Sequence, residues 1–241
     1  DADPVAVDEA LGADPALADL VRARPGLRVP GSADGFETAV RAVIGQQISV
    51  SGARTVLGAL VAAAGAGLAS PSAESEDAEA GGALTHVFPA PEAVVELAAR
   101  RPAAFAMPAT RRRALVGLAE AVAEGHVTID PGAAPEELAA QLLTIPGIGP
   151  WTATYVTLRA VGDTDAFLAG DLGTRRAAAR LGLPDQPGQL EAVSARWRPW
   201  RAYAQMHLWS MAPAGTPAAR PEDRIEAIEG TRQSTQGESA A

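Results

Sequence analysis

Cysteine is absent from all 241 residues, and so is lysine: every one of the twenty Lys-plus-Arg positions is arginine. Without cysteine the chain can form no disulfide, thiolate zinc site or cysteine-ligated iron–sulfur cluster. Without lysine it offers no side-chain amine nucleophile, so Schiff-base chemistry on a side chain is closed. Aromatic residues are scarce as well, with four Trp, four Phe and two Tyr. No apolar run approaches the roughly 20 residues of a membrane span, and no signal peptide opens the chain. The chain therefore reads as cytoplasmic with no membrane partner. It opens on Asp1 rather than Met, which leaves open that it is part of a longer polypeptide.

Alanine dominates, strand-forming runs are few, and Gly and Pro fall between helical stretches. Those biases predict an all-α protein. Helical spacing is legible over 13–24, from Asp34 through Phe36, Val40, Val43 and Ile44, and over 49–64 with Val50, Val56, Leu57, Leu60 and Val61 as a buried stripe. It resumes at 91–100, 110–124, 135–143, 150–161, 172–182, 188–196 and 199–212.

The formal charge of −9 argues against a nucleic-acid partner until it is mapped. Residues 1–19, 66–83 and 214–241 carry −6, −4 and −2, which leaves the remainder at +3. The expectation is an acidic N-terminal segment (1–19), one helical domain (20–213) with a disordered insertion (66–83) and a hairpin (143–151), and a flexible tail (214–241) holding one short helix near 221–229. On that division the acidity lies in segments that do not pack, around a mildly basic body.

The densest chemistry runs from Ile145 to Asp171. A proline and two glycines (Pro146, Gly147, Gly149) form a tight corner between two helical patterns, with Pro150 at the first position of the second helix, where a missing N–H costs nothing. Taken alone, PGxG is an ordinary helix corner. Here apolar Leu142, Leu143 and Ile145 precede it, and Trp151, Tyr155, Val156 and Leu158 form one face after it. Bare amides at a helix N-terminus then make a cradle for one phosphate. Asp171 is a preferred helix cap, and a carboxylate in that place can also steady a sugar cation or orient a water. Trp151 and Tyr155, four apart, suggest a stacking surface, with Trp209 as another wall. Gln46 and Gln47 end a helix just before Ser49, a cap for the next, and one of them can fill the gap left by a flipped nucleotide. The run Arg111–Arg113 is available for phosphate contact. Asp163 and Asp165 read as solvated loop residues.

These residues resemble a known family. The stretch IPGIGPWTATYVTLRAVGDTDAFLAGD is similar to the helix-hairpin-helix DNA glycosylases, whose motif ends in a catalytic aspartate. Three further stretches match the bacterial 3-methyladenine DNA glycosylase II type: PGLRVPGSADGFETAVRAVIGQQISV (25–50), THVFPAPEAV (85–94) and RWRPWRAYAQMHLW (196–209). The resemblance implies an all-α helical bundle with an active-site cleft between helical subdomains. The family's small N-terminal β-rich domain is expected to be absent.

By position it makes Asp171 the catalytic aspartate and Trp151, Tyr155 and Trp209 the walls of the base pocket. Leu172 stands where a relative has a further pocket tyrosine, and Gln47 stands at the DNA-intercalating wedge. Gln46, Ser49, Gly147, Ile148, Gly149 and Thr152 would meet DNA. The carbonyls of Leu143, Ile145 and Gly147 would hold a monovalent cation. No other cofactor is required. Strand-nicking members place a lysine where Trp151 stands, so hydrolysis alone is expected. The implied activity is removal of alkylated bases such as 3-methyladenine and 7-methylguanine from damaged double-stranded DNA, by a monomer. The alternatives are a non-catalytic DNA-binding module, or a glycosylase for deaminated or oxidised bases.

Overall fold

A computed structural model describes residues 2–46, 48–68 and 84–211. Eleven α-helices are built there: α1 (Pro4–Gly12), α2 (Ala18–Ala23), α3 (Gly35–Gly45), α4 (Val50–Ala64), α5 (Pro91–Arg100), α6 (Ala109–Ala123), α7 (Pro135–Leu143), α8 (Pro150–Val156), α9 (Leu172–Arg180), α10 (Pro187–Ser194) and α11 (Arg201–Trp209). A π-helical turn, Thr157–Val161, prolongs α8 before Gly162 ends it in the left-handed region. Among the described residues the only β-pairing is one isolated bridge, Gly67–His86, so the all-α expectation stands.

Local chemistry explains most of the boundaries. Asp34, Ser49 and Asp171 each cap a helix by accepting a backbone N–H through the side chain. Helices α5, α7, α8 and α10 each begin on proline, whose fixed φ suits the first turn.

The helices pack around two apolar cores. One gathers α3 to α8 around Val40, Val43, Leu115, Leu118, Leu138 and Leu142. The other gathers α1, α2, the 158–169 segment and α9 to α11 around Leu17, Leu158, Leu190 and Leu208. Helix α8 joins them: Ala153 and Val156 belong to the first core, while Trp151 and Tyr155 lean onto the second. The anticipated cleft between helical subdomains is the seam that α8 bridges.

Two expectations change. Residues 1–19 do not stay outside the body: α1 buries Val7 and Leu11, Leu17 is fully covered, and all three enter the second core. Asp14 accepts the Trp197 indole N–H at 2.6 Å and pairs with Arg196. The acidic count hid an apolar stripe that needs only three residues to dock. In α4, Val50 is 68 % exposed and only Leu60 of the proposed stripe is buried, because α4 covers the bundle with one narrow face. The insertion beyond Leu68, the tail from residue 212 and the short helix near 221–229 lie outside the described residues. Where the insertion leaves the body, Leu68 N–H bonds Thr85 O at 2.8 Å.

Candidate active site

The hairpin lies between α7 and α8. Gly147 takes φ +95°, and a Cβ there would stand 2.8 Å from the Ala114 methyl on α6. Only glycine permits both that torsion and that approach. Ile148 points inward, 6 % exposed, and its N–H is bonded to Ile145 O at 3.0 Å. Its side chain thus serves the first core and its amide closes the turn. No acceptor among the described residues takes the N–H of Gly147 or Gly149. The leftover first-turn amides of α8 extend the same row of donors.

The carbonyls of Leu143, Ile145 and Gly147 follow the C-terminus of α7, where the helix dipole is negative. Neutral oxygens at a negative helix end suit a monovalent cation. Ile145 O already accepts from Ile148, and Gly147 O accepts from Gln46 Nε2 at 3.3 Å, each with one lone pair left.

Gln46 proves to be a tie rather than a free arm. Its side-chain NH₂ donates to Thr152 Oγ1 at 2.8 Å as well as to Gly147 O, and Arg111 donates to the Gln46 backbone carbonyl. Thr152 is 3 % exposed and engaged there. The Gln46 NH₂ and the Thr152 hydroxyl are thus spent on anchoring the end of α3 to the hairpin, while Gln46 Oε1 has no partner among the described residues. Gln47 lies outside the described residues. Ser49 does cap α4, bonding Gly52 N–H at 3.1 Å. Arg112 donates to Pro102 O.

Asp171 caps α9 and is held from four directions. Oδ1 accepts Thr174 N–H at 2.9 Å, the Thr174 hydroxyl at 3.1 Å and the Trp209 indole N–H at 2.9 Å. Among the described residues Oδ2 accepts only the Trp151 indole N–H, at 3.3 Å, which leaves its second lone pair open. Cap and functional carboxylate are thus one residue. The three aromatics proposed as walls meet around it: Trp151 and Tyr155 stack with ring centres 5.2 Å apart and 15° between planes. Tyr155 and Trp209 lie 6.4 Å apart, tilted by 46°. Leu172 opens α9 beside the aspartate and is 44 % exposed, a broad apolar surface without a ring.

Two recesses flank the aromatic pair. A groove of ≈ 540 Å³ runs past Trp151, Leu168, Gly170, Asp163, Asp165 and Arg201. A smaller one of ≈ 220 Å³ borders Tyr155 with Asp34, Glu37, Arg41 and Arg159.

Asp163 and Asp165 are half-buried and engaged rather than free loop residues. Arg201 of α11 grips both oxygens of Asp165, at 2.8 and 2.9 Å, and also pairs with Glu191 at 2.7 Å. Burial works against the Arg201 charge, but Asp165 and Glu191 outweigh it and hold the guanidinium pKa above its ordinary value. Burial pushes the Asp163 carboxyl up. Sequence reasoning also passed over Thr174 and Gln205, which stand behind Asp171. The available signal was a row of polar and indole side chains four apart on α11 (Arg201, Gln205, Trp209) in a helix whose buried face also takes Ala202, Ala204 and Leu208. Such a row on a covered face marks a polar track.

Residues 1–34 match the family model described as the AlkA N-terminal domain. Those residues form α1, α2 and the lead into α3, with no strand among the described ones. The chain is 44 % identical over 225 residues, 93 % of its length, to the probable bifunctional transcriptional activator/DNA repair enzyme AlkA of Mycobacterium tuberculosis, of which it covers 43 %. It is 36 % identical to DNA-3-methyladenine glycosylase 2 of Escherichia coli over 80 % of its own length and 64 % of that protein. It thus spans less than two thirds of these relatives. Among solved structures, the Schizosaccharomyces pombe 3-methyladenine DNA glycosylase in complex with abasic DNA superposes with a TM-score of 0.66 at 23 % identity, over 88 % of this chain and 99 % of that one. An 8-oxoguanine glycosylase/lyase from Clostridium acetobutylicum, bound to double-stranded DNA, gives 0.70 at 19 % identity, over 86 % and 69 %.

Proposed function

We propose that this chain, which has the fold of the helix-hairpin-helix DNA glycosylases and is similar in sequence to their 3-methyladenine DNA glycosylase II type, is a monofunctional glycosylase for alkylated bases in duplex DNA. The observation that carries the reading is Asp171: a helix-capping carboxylate presented by two tryptophan N–H groups, beside a stacked Trp–Tyr pair, one helix beyond a glycine hairpin. The work belongs to the first step of base excision repair. It needs double-stranded DNA as its partner, one copy of the chain and a place in the cytoplasm where that DNA is met.

In this reading the hairpin amides of Gly147 and Gly149 grip one phosphate and set the register without reading sequence. A cation on the Leu143, Ile145 and Gly147 carbonyls would add positive charge beside that phosphate. The target nucleotide leaves the stack at a cost of a few kcal/mol. A purine alkylated at N3 or N7 is cationic, so the rings of Trp151, Tyr155 and Trp209 attract it by about 0.5–2 kcal/mol per contact.

Such a base departs without a general acid. The C1′–N bond breaks, its electron pair neutralises the base, and water adds to C1′ while its proton passes to solvent. The open side of Asp171 Oδ2 faces the positive sugar that forms and orients the incoming water. Strand nicking through a side-chain Schiff base would need an amine where Trp151 stands, and the chain has no lysine.

Asp171→Asn should abolish release of 3-methyladenine and 7-methylguanine from alkylated DNA while duplex binding persists. Undiminished release would end the assignment, and binding with no release even by the unaltered chain would favour a DNA-binding module. Borohydride should trap no enzyme–DNA adduct.

A further inference from the structure

Behind Asp171 lies a polar relay that base removal does not touch directly. Gln205 of α11 is fully buried (0 % exposed), yet both ends of its amide are bonded. Oε1 accepts the Leu168 N–H at 3.0 Å, and Nε2 donates to Thr174 Oγ1. The orientation of the amide follows from the partners: an N–H at Leu168 demands the oxygen, so the NH₂ must face Thr174. A hydroxyl that accepts from Gln205 keeps its single proton for another acceptor, and Asp171 Oδ1 lies 3.1 Å away.

The same face of α11 follows the loop that delivers the aspartate. Arg201 holds Asp165, Gln205 holds Leu168 and Trp209 holds Asp171, so residues four apart on the helix meet residues three apart on the loop. Ala202 N–H adds a bond to Thr164 O at 3.0 Å.

We infer that Gln205 is a positioning residue for the reaction: by fixing the Thr174 hydroxyl as a donor, it sets the direction in which Asp171 faces the sugar. The inference rests on the reading of Asp171 as the reacting carboxylate. Gln205 touches no substrate, so its influence passes entirely through Thr174 and Leu168.

Two isosteric changes separate positioning from packing. In Gln205→Met the neutral side chain keeps its length but has no donor for Thr174, whose hydroxyl is no longer fixed toward Asp171. In Thr174→Val the hydroxyl is gone while the backbone N–H to Asp171 remains. Each should slow single-turnover release of 7-methylguanine about tenfold, the worth of one hydrogen bond to a charged group, with duplex affinity unchanged. Thr174→Ser should restore the rate.

Independently of activity, the Trp209 indole N–H resonance should shift in both slow variants, while those of Trp197 and Trp200 stay in place. A Trp209 signal that stays put in folded Gln205→Met and Thr174→Val protein overturns the inference, as does a Thr174→Ser variant as slow as Thr174→Val. If the unaltered chain releases no alkylated base, the functional reading falls, and the indole resonances still decide whether Gln205 positions the carboxylate.

Discussion

Replacing Gly147 by alanine tests the hairpin at its tightest point. The residue sits at φ +95°, where a Cβ carries strain of about 1–3 kcal/mol. That Cβ would also lie 2.8 Å from the methyl of Ala114, which is 1 % exposed on α6. Carbon atoms in contact prefer about 3.5–4.0 Å, so the hairpin and α6 must part by roughly 1 Å. Overpacking of that order costs about 1–3 kcal/mol, for a total of about 2–6 kcal/mol. In a domain of this size each kcal/mol lowers Tm by about 2–4 °C, so a fall of roughly 5–20 °C is expected in thermal denaturation followed by circular dichroism.

Gly149 is the control. Its φ is −103° and an added Cβ meets nothing within 4 Å, so Gly149→Ala should change stability by less than about 1 kcal/mol. Its methyl would instead stand in open space beside the Gly149 amide that is proposed to meet the phosphate. Fluorescence anisotropy with an undamaged duplex should therefore show weaker binding for Gly149→Ala, with Tm kept. A Gly147→Ala protein with unchanged Tm would refute the close approach to Ala114. A Gly149→Ala protein that binds DNA normally would refute the placement of the phosphate.

Two further outcomes follow from the second core. His207 is fully buried, and neither ring nitrogen has a hydrogen-bond partner among the described residues. Burial lowers its pKa, with Asp8 pulling it up and Arg24 pushing it down. Its folded pKa therefore lies below the unfolded value of about 6.5, and protonation favours the unfolded chain. That contribution is complete above pH 6.5 and declines as the pH falls toward the folded value. Tm measured from pH 7.5 to 5 should thus drop less in His207→Met than in the unaltered chain, and parallel curves would contradict the assignment. Asp14→Ala should lower stability by about 2–4 kcal/mol, since it leaves the buried Trp197 N–H and Arg196 without their acceptor. Chemical denaturation checks this, and a loss below about 0.5 kcal/mol would mean that the N-terminal segment is not docked.

Much of the scaffold was legible because its signals are local. The caps at Asp34, Ser49 and Asp171 and the prolines opening α5, α7, α8 and α10 each act within one turn, so helix starts follow directly from residue order. Helix α1 was obscured by its acids, although Val7 and Leu11 lie one turn apart as a docking pair should. Gln46 shows the opposite case: a polar residue at a helix end gives no local sign of its partners, and only the proximity of Gly147 and Thr152, about a hundred residues away, ties its NH₂.

By itself the sequence determined an all-helical chain, a glycine corner that only a tight turn can use, the absence of any lysine nucleophile, and an aspartate at a helix start. The tertiary structure alone decided which way that aspartate faces. Its partners Trp151, Thr174 and Trp209 come from three different helices, and Gln205 acts on it only through Thr174. Hydrogen-bond direction depends on where separate helices meet in space, and no spacing along the chain encodes that meeting.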